Sequence, residues 1–229
     1  MLEKLKTVVY KANLAIVKEG LVIHTWGNVS GRDPESGLIV IKPSGISYKS
    51  MKATHMVVLD PEGKIIEGDY KPSTDAPTHL LLYRTFPTVG GVVHTHSTYA
   101  TSWAQAGKAI PPFGTTHADH FYGEVPCTRK LTEEEVNTDY EINTGKVIIE
   151  RMGRTDPLAV PSALVNCHGP FSWGKDADTA VYNAVALEEV ARMAFYTVLL
   201  GKKDPADNFL LDKHFNRKHG RNAYYGQKK

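Results

Sequence analysis

The sequence predicts one α/β domain, and three observations carry that prediction. Its 229 residues suffice to bury a large core. β-rich runs bounded by turn residues alternate with stretches of helical spacing. No internal repeat or low-complexity linker interrupts the chain.

Leu2, Leu5, Val8, Val9, Ala12, Ala15 and Val17 fall near one stripe, which predicts an amphipathic helix over 2–18 with Gly20 as its stop. Short strands and turns follow in LVIHTW (21–26), GLIVIKPSG (37–45) and MVVLDPEGKIIEG (56–68). The last is a hairpin, because Asp60-Pro61-Glu62-Gly63 supplies turn chemistry between two β-rich runs. A helix opens at Asp75, with Pro77 in its first turn, and runs through 79–86. VGGVVHTH (89–96) reads as a buried strand leading into a polar tip, and 97–106 as a helix ended by Gly107. Segment 108–130 has no clear period. Thr132 caps a helix whose first turn holds Glu133–Glu135, a solvated acidic face rather than a metal site. VIIE (147–150) and SALVNCH (162–168) read as strands. The clearest element is 177–200, apolar almost all round and therefore buried against a sheet. The tail after Pro205 is an appendage.

A net charge of +2 implies no general affinity for nucleic acid or for an anionic membrane. The basic cluster Lys213, Arg217, Lys218, Arg221, Lys228 and Lys229 reads as a solvated end, with too few interleaved aromatics for base stacking. Two cysteines, Cys127 and Cys167, are too few for a disulfide framework and read as reduced thiols. The opening MLEKLK lacks the apolar stretch of a signal peptide, and no run reaches membrane-spanning length. A soluble, cytoplasmic protein is expected.

His94-Thr95-His96 places two imidazoles on one side of a strand end, where they can converge on one ion. His168, in ALVNCHGPFSWG, stands at another strand-to-turn boundary. Three imidazoles with an open position describe a catalytic zinc-type site or a similar divalent site, although seven further histidines show that the residue is simply common here. Lys42-Pro43-Ser44-Gly45 and Lys71-Pro72-Ser73-Thr74 are similar turns. Each offers a hydroxyl, backbone N–H groups freed by the turn and a lysine, and the second also lies at a helix N-terminus, which favours an anion. Each alone is more often just a Pro-fixed turn with a helix cap, and it is their duplication that points to a small phosphate ligand. Walker and dinucleotide-binding glycine patterns are absent, which removes support for a nucleotide cofactor.

TWGNVSGR (25–32), IKPSG (41–45), KPSTDAPTH (71–79), GGVVHTHS (90–97), GTTHADHFYGEVPCTR (114–129), NCHGPFSWG (166–174) and the tail LLDKHFNRKHG with AYYGQ (210–227) resemble the bacterial L-ribulose-5-phosphate 4-epimerases of the class II aldolase/epimerase superfamily. The resemblance spans almost the whole chain. It implies a three-layer α/β/α single domain over 1–229 with a largely antiparallel central sheet. It also implies a C4-symmetric homotetramer with active sites between subunits, the tail 205–229 reaching a neighbour's site. His94, His96 and His168 would hold a divalent ion, Zn2+ in the family, with Asp75 as a carboxylate at the metal. Ser44, Gly45, Ser73 and Thr74, assisted by Lys42, would hold the substrate phosphate, and Gly27 and Asn28 would contact the substrate nearby. Asp119 and Tyr225 match the acid/base pair, and Thr115 and His214 match secondary positions. The related fuculose- and rhamnulose-phosphate aldolases carry glutamate where Asp75 stands, which favours epimerase over aldolase.

The C4 proton of a 2-ketose phosphate is not α to its carbonyl, so simple enolisation cannot invert that centre. Either C4 is transiently oxidised, which requires NAD, or the C3–C4 bond is cleaved and remade from the other face. The missing dinucleotide motif and the histidine cluster point to the second. The competing expectations are an aldolase of the same superfamily and a non-catalytic scaffold on the same fold, as in the adducin head domain. Arabinose and L-ascorbate breakdown can both use the epimerase reaction.

Overall fold

Seven strands join in one sheet, every neighbouring pair antiparallel, in the order β4-β3-β2-β1-β5-β7-β6. They are β1 (Gly27–Arg32), β2 (Ile39–Ile41), β3 (Val57–Leu59), β4 (Ile65–Glu67), β5 (Gly91–Thr95), β6 (Ser162–Val165) and β7 (Gly169–Gly174). The structure is a computed structural model and describes residues 2–227, so Met1 and the expected basic residues Lys228 and Lys229 lie outside the described residues. Among those residues are eight α-helices: α1 (Glu3–Lys18), α2 (Ala76–Thr85), α3 (Thr98–Gln105), α4 (Thr115–Ala118), α5 (Glu133–Asn137), α6 (Tyr140–Met152), α7 (Ala177–Leu199) and α8 (Asn208–His219).

Strand periodicity explains the layers. Ile39, Ile41, Val57, Leu59 and Val92 project into a core shared with Leu80 and Leu82 of α2 and with Ile148 and Met152 of α6. Their sequence neighbours Val40, Val58 and Val93 project the other way, against Val9 and Ile16 of α1 and Ala180 and Ala184 of α7. Alternate residues of one strand thus feed opposite cores, and the result is a mixed α/β fold with helices on both faces of the sheet. A third cluster, from Ala100 and Ala104 of α3 to Leu187 and Ala191 of α7, closes one end. Gly91 is required where α7 begins, since a Cβ there would stand 2.3 Å from the Asp176 carbonyl oxygen.

The hairpin at Asp60–Gly63 forms as expected, and Thr132 caps α5 in a reciprocal capping box with Glu135. Four expectations fail. LVIHTW is irregular: His24 takes a left-handed φ of 55°, and the strand begins only at Gly27. VIIE belongs to α6, because Val147, Ile148 and Met152 share one buried face of a helix that starts at Tyr140. The helix at 177–199 buries only one side, leaving Tyr182, Met193, Phe195, Tyr196, Val198 and Leu199 exposed. Nor is the basic end merely solvated. Arg217 and Lys218 pair with Asp119, and Lys213 lies 5.3 Å from the Tyr224 ring centre. Both cysteines are free, and no helix is long and apolar enough to cross a membrane.

Two histidines are built into this framework as neutral groups. Burial pulls His79 down to about 3 and His117 to about 4. In the unfolded chain both titrate near 6.5, so between these values the unfolded state binds more protons. Their preference for the folded state is complete above about pH 6.5 and is lost as pH falls toward the folded values. The melting temperature of metal-stripped protein is therefore expected to drop steadily from pH 7.5 to pH 5 in a calorimetric series, and a flat profile would contradict this assignment.

Candidate functional site

The central strands end in a polar cavity of about 400 Å³. Strand β5 delivers His94, buried, and His96 just beyond its end. Its neighbour β1 sets Asn28 in register beside His94, while β7 sets Phe171 on the other side. The His94 ring stacks on Phe171, with centres 4.2 Å apart and planes at 17°. His168 stands in the β6–β7 turn, which Cys167 tightens by adopting a left-handed φ of 60°, a conformation rare outside glycine.

Ligand atoms of His94, His96 and His168 all lie within 4.8 Å of one another, and the two Nε2 atoms of His94 and His96 are 3.1 Å apart. Nδ1 of His94 lies 3.0 Å from the Pro170 carbonyl oxygen, so Nδ1 carries the hydrogen and donates it. That bond turns its Nε2 toward the other rings. Burial, then the neighbouring imidazoles, pull His168 down to about 3, and burial followed by His94 lowers His96. The three rings converge as metal ligation requires, and a three-imidazole set with an open side suits a divalent cation.

Asp75 lines the same cavity from the N-terminus of α2 but is not among the atoms within that 4.8 Å. Its Oδ2 accepts from Asn28 Nδ2 at 2.6 Å. Burial would raise this carboxyl, yet electrostatic interaction with the His94 and His79 rings and the Asn28 hydrogen bond together outweigh it and hold the group below its usual range. Asn28 Oδ1 is buried with no hydrogen-bond partner among the described residues, a polar atom that calls for a donor from a ligand.

The two similar turns meet edge to edge. Ser44 N–H donates to the Lys71 carbonyl and Ser73 N–H to the Lys42 carbonyl, each at 2.9 Å, with Pro43 and Pro72 bridged between them. The expectation that the turns offer freed backbone N–H groups is therefore corrected at the two serines, whose N–H groups hold the turns together. The serine hydroxyls, Gly45 at φ 67° and Thr74 line the cavity instead, beside buried Lys42. Lys42 Nζ donates to the Pro43 carbonyl, and burial lowers its pKa against the opposing pull of Asp75. Gly27 completes this wall, its carbonyl accepting from Tyr48 Oη at 2.6 Å.

Asp119, Tyr225, Thr115 and His214 do not line this cavity. Three of them form a second cluster around the α4–α8 contact. Asp119 accepts a bidentate pair from Arg217 at 3.0 and 2.7 Å and lies 3.2 Å from His214 Nδ1. Burial opposes ionisation of Asp119, but the Arg217 hydrogen bonds and the Lys218 charge overcome it and keep its pKa low. Arg217 and Lys218 also lie 5.0 and 4.7 Å from the centre of the exposed Tyr225 ring. Thr115 borders a small cavity between α4 and α7. The sequence reasoning missed Thr25, Trp26, Tyr140 and Glu141, all at the wall of the main cavity. For the last two the missed signal was the helical spacing of 143–152. A larger cavity of about 550 Å³, lined by Trp103, Phe113, Phe195, Val198 and Leu199, is apolar and holds no imidazole or carboxylate.

Residues 7–195 match the family model described as Class II Aldolase and Adducin N-terminal domain. The chain belongs to this family. It is 59% identical over 228 residues to L-ribulose-5-phosphate 4-epimerase UlaF of Salmonella paratyphi B and, equally, to that of Salmonella paratyphi A, covering 99% of this chain and all of each relative. Among solved structures, an L-fuculose 1-phosphate aldolase superposes with a TM-score of 0.80 at 23% identity, over 93% of this chain and 95% of that one. The class II aldolase fold is thus shared well beyond the range of sequence likeness. Family members of this kind depend on a divalent metal, and the imidazole cluster is the donor set that can hold one here. His96→Ala is expected to bind far less divalent cation than wild type by elemental analysis while its circular dichroism stays unchanged. Equal metal content would remove the cluster from the site.

Proposed function

We propose that this protein is an L-ribulose-5-phosphate 4-epimerase, interconverting L-ribulose 5-phosphate and D-xylulose 5-phosphate by breaking and remaking C3–C4. The observation that carries this reading is the convergence of His94, His96 and His168 beside the paired serine turns, in a chain 59% identical end to end to named 4-epimerases. A divalent cation held by the three imidazoles, Zn2+ in our reading, supplies an electrophile for the negative charge that cleavage places on the C2–C3 fragment.

The chain's own groups do the rest. The Ser44, Ser73 and Thr74 hydroxyls and the Gly45 backbone grip the phosphate at the N-terminus of α2, where the helix dipole favours an anion, with Lys42 assisting. That grip keeps the aldehyde fragment in place while it rotates to offer its other face. Gly27 and Asn28 orient the three-carbon end, and Asp75, held by Asn28, sets the charge of the pocket. One group takes the proton of the C4 hydroxyl in one epimer, and a second returns it on the opposite face. We assign Asp119 and Tyr225 to this pair, with Thr115 and His214 beside them. Since Asp119, His214 and Tyr225 lie in a second cluster of their own protomer, the assignment requires a neighbouring copy to bring its cluster over the imidazole cavity. A C4 homotetramer built from single-domain subunits, each lending Asp119 and Thr115 together with its C-terminal tail to the next, meets that requirement, and the reaction belongs in the cytoplasm.

Incubation with L-ribulose 5-phosphate is expected to yield D-xylulose 5-phosphate without free aldehyde, whereas aldehyde release would assign an aldolase instead. Tyr225→Phe should slow turnover by at least about 100-fold while leaving assembly intact, as for loss of a proton-transfer group. Co-refolding equal amounts of the inactive His96→Ala and Tyr225→Phe chains should restore about a quarter of wild-type activity, because random mixing reunites intact halves at that frequency. No recovery in assembled mixtures would place both halves of the site in one chain.

A further inference from the structure

Two of the three imidazoles have an outer hydrogen bond, and the two bonds differ in kind. His94 Nδ1 is held by the main chain of its own sheet, at Pro170. His168 Nδ1 lies 3.2 Å from the phenolic oxygen of Tyr140, a side chain from the first residue of α6, 28 positions away. The two rings stand 6.0 Å apart with planes at 31°, and Tyr140 borders the cavity.

The α6 helix is fixed firmly enough to act as a reference. Gly145 lets it press onto α2: a Cβ there would stand 2.9 Å from Leu81 Cδ2. Thr78 of α2 donates its hydroxyl to the Glu141 carbonyl, and Asn143 Nδ2 donates to the Glu135 carbonyl. His168 itself sits in a turn, so no strand pairing fixes its ring or selects its tautomer. A half-turn of that ring would aim carbon instead of nitrogen at His94 and His96.

We propose that Tyr140 is a positioning residue of the metal centre: its oxygen accepts the Nδ1–H of His168 and so turns the Nε2 lone pair toward the other two imidazoles. The proposal rests on the metal-centre reading given above and deepens it. Outer hydrogen bonds of this kind fix ring orientation and tautomer, and their loss commonly weakens metal binding by about 10- to 100-fold.

Tyr140→Phe keeps the ring and removes only the hydroxyl. Zn2+ affinity of the full-length, metal-stripped chain, measured by competition with a chelating dye, is expected to fall about 10- to 100-fold relative to wild type. The melting temperature of the metal-free variant should match wild type, while the rise on adding Zn2+ should be smaller. Affinity within about threefold of wild type would overturn the proposal, because an orienting bond to a ligand is worth more than that. A lowered metal-free melting temperature with unchanged affinity would overturn it too, by giving Tyr140 a packing role. Failure of wild type itself to bind Zn2+ would refute the metal centre, an outcome distinguishable from loss in the variant alone.

Discussion

Two imidazole nitrogens 3.1 Å apart, with a third ring centred 4.7 and 5.1 Å from its neighbours, form an arrangement that repels itself unless a proton or a cation is shared between them. The surrounding structure counters that repulsion. Antiparallel pairing of β5 with both β1 and β7 leaves His94 no freedom along the strand, and Phe171 and the Pro170 carbonyl fix its ring. Burial then removes the easiest escape, which is to protonate the rings and let them part: His168 is depressed to about 3 and His96 is lowered as well. A cation can bind all three imidazoles at once, so the same features that make their close approach costly make them a good ligand set.

The anion-binding wall is built on a different economy. Two turns of similar sequence, far apart in the chain, spend their serine N–H groups on each other and become one rigid ledge. What remains for a ligand is hydroxyls, a glycine backbone and a helix N-terminus, with a buried lysine whose charge is already strained by desolvation. In the proposed reaction this ledge must hold one fragment while the bond beside it is absent, so its rigidity is part of the chemistry. The acid/base pair we assign sits elsewhere in the protomer, where Arg217 and Lys218 pair with Asp119 and lie beside the Tyr225 ring. On that reading catalysis is completed by association of subunits.

Much of this was legible in the sequence where apolar residues formed a continuous run or stripe: β5, α1 and α7 all fall within a residue or two of expectation. His94 and His96 could be placed on one side of a strand end from spacing alone. Their meeting with His168 could not, because it depends on β7 lying beside β5, a long-range pairing that spacing does not encode. LVIHTW looked like a strand through its apolar residues, yet the left-handed turn at His24 sends Ile23 and Trp26 to the surface. VIIE looked like one through its β-branched run, which α2 packing overrides. That second error hid Tyr140 and Glu141. The consumption of the serine N–H groups was invisible for the same reason as the metal cluster, since it arises only when two distant turns meet.

The most direct test of the central claim is X-ray absorption at the zinc edge on stoichiometrically loaded protein, with anomalous diffraction to place the ion. The account predicts one cation per chain, bound by three imidazole nitrogens at about 2.0–2.1 Å between β5 and the β6–β7 turn. An ion coordinated elsewhere, or by fewer than three imidazoles, would contradict it.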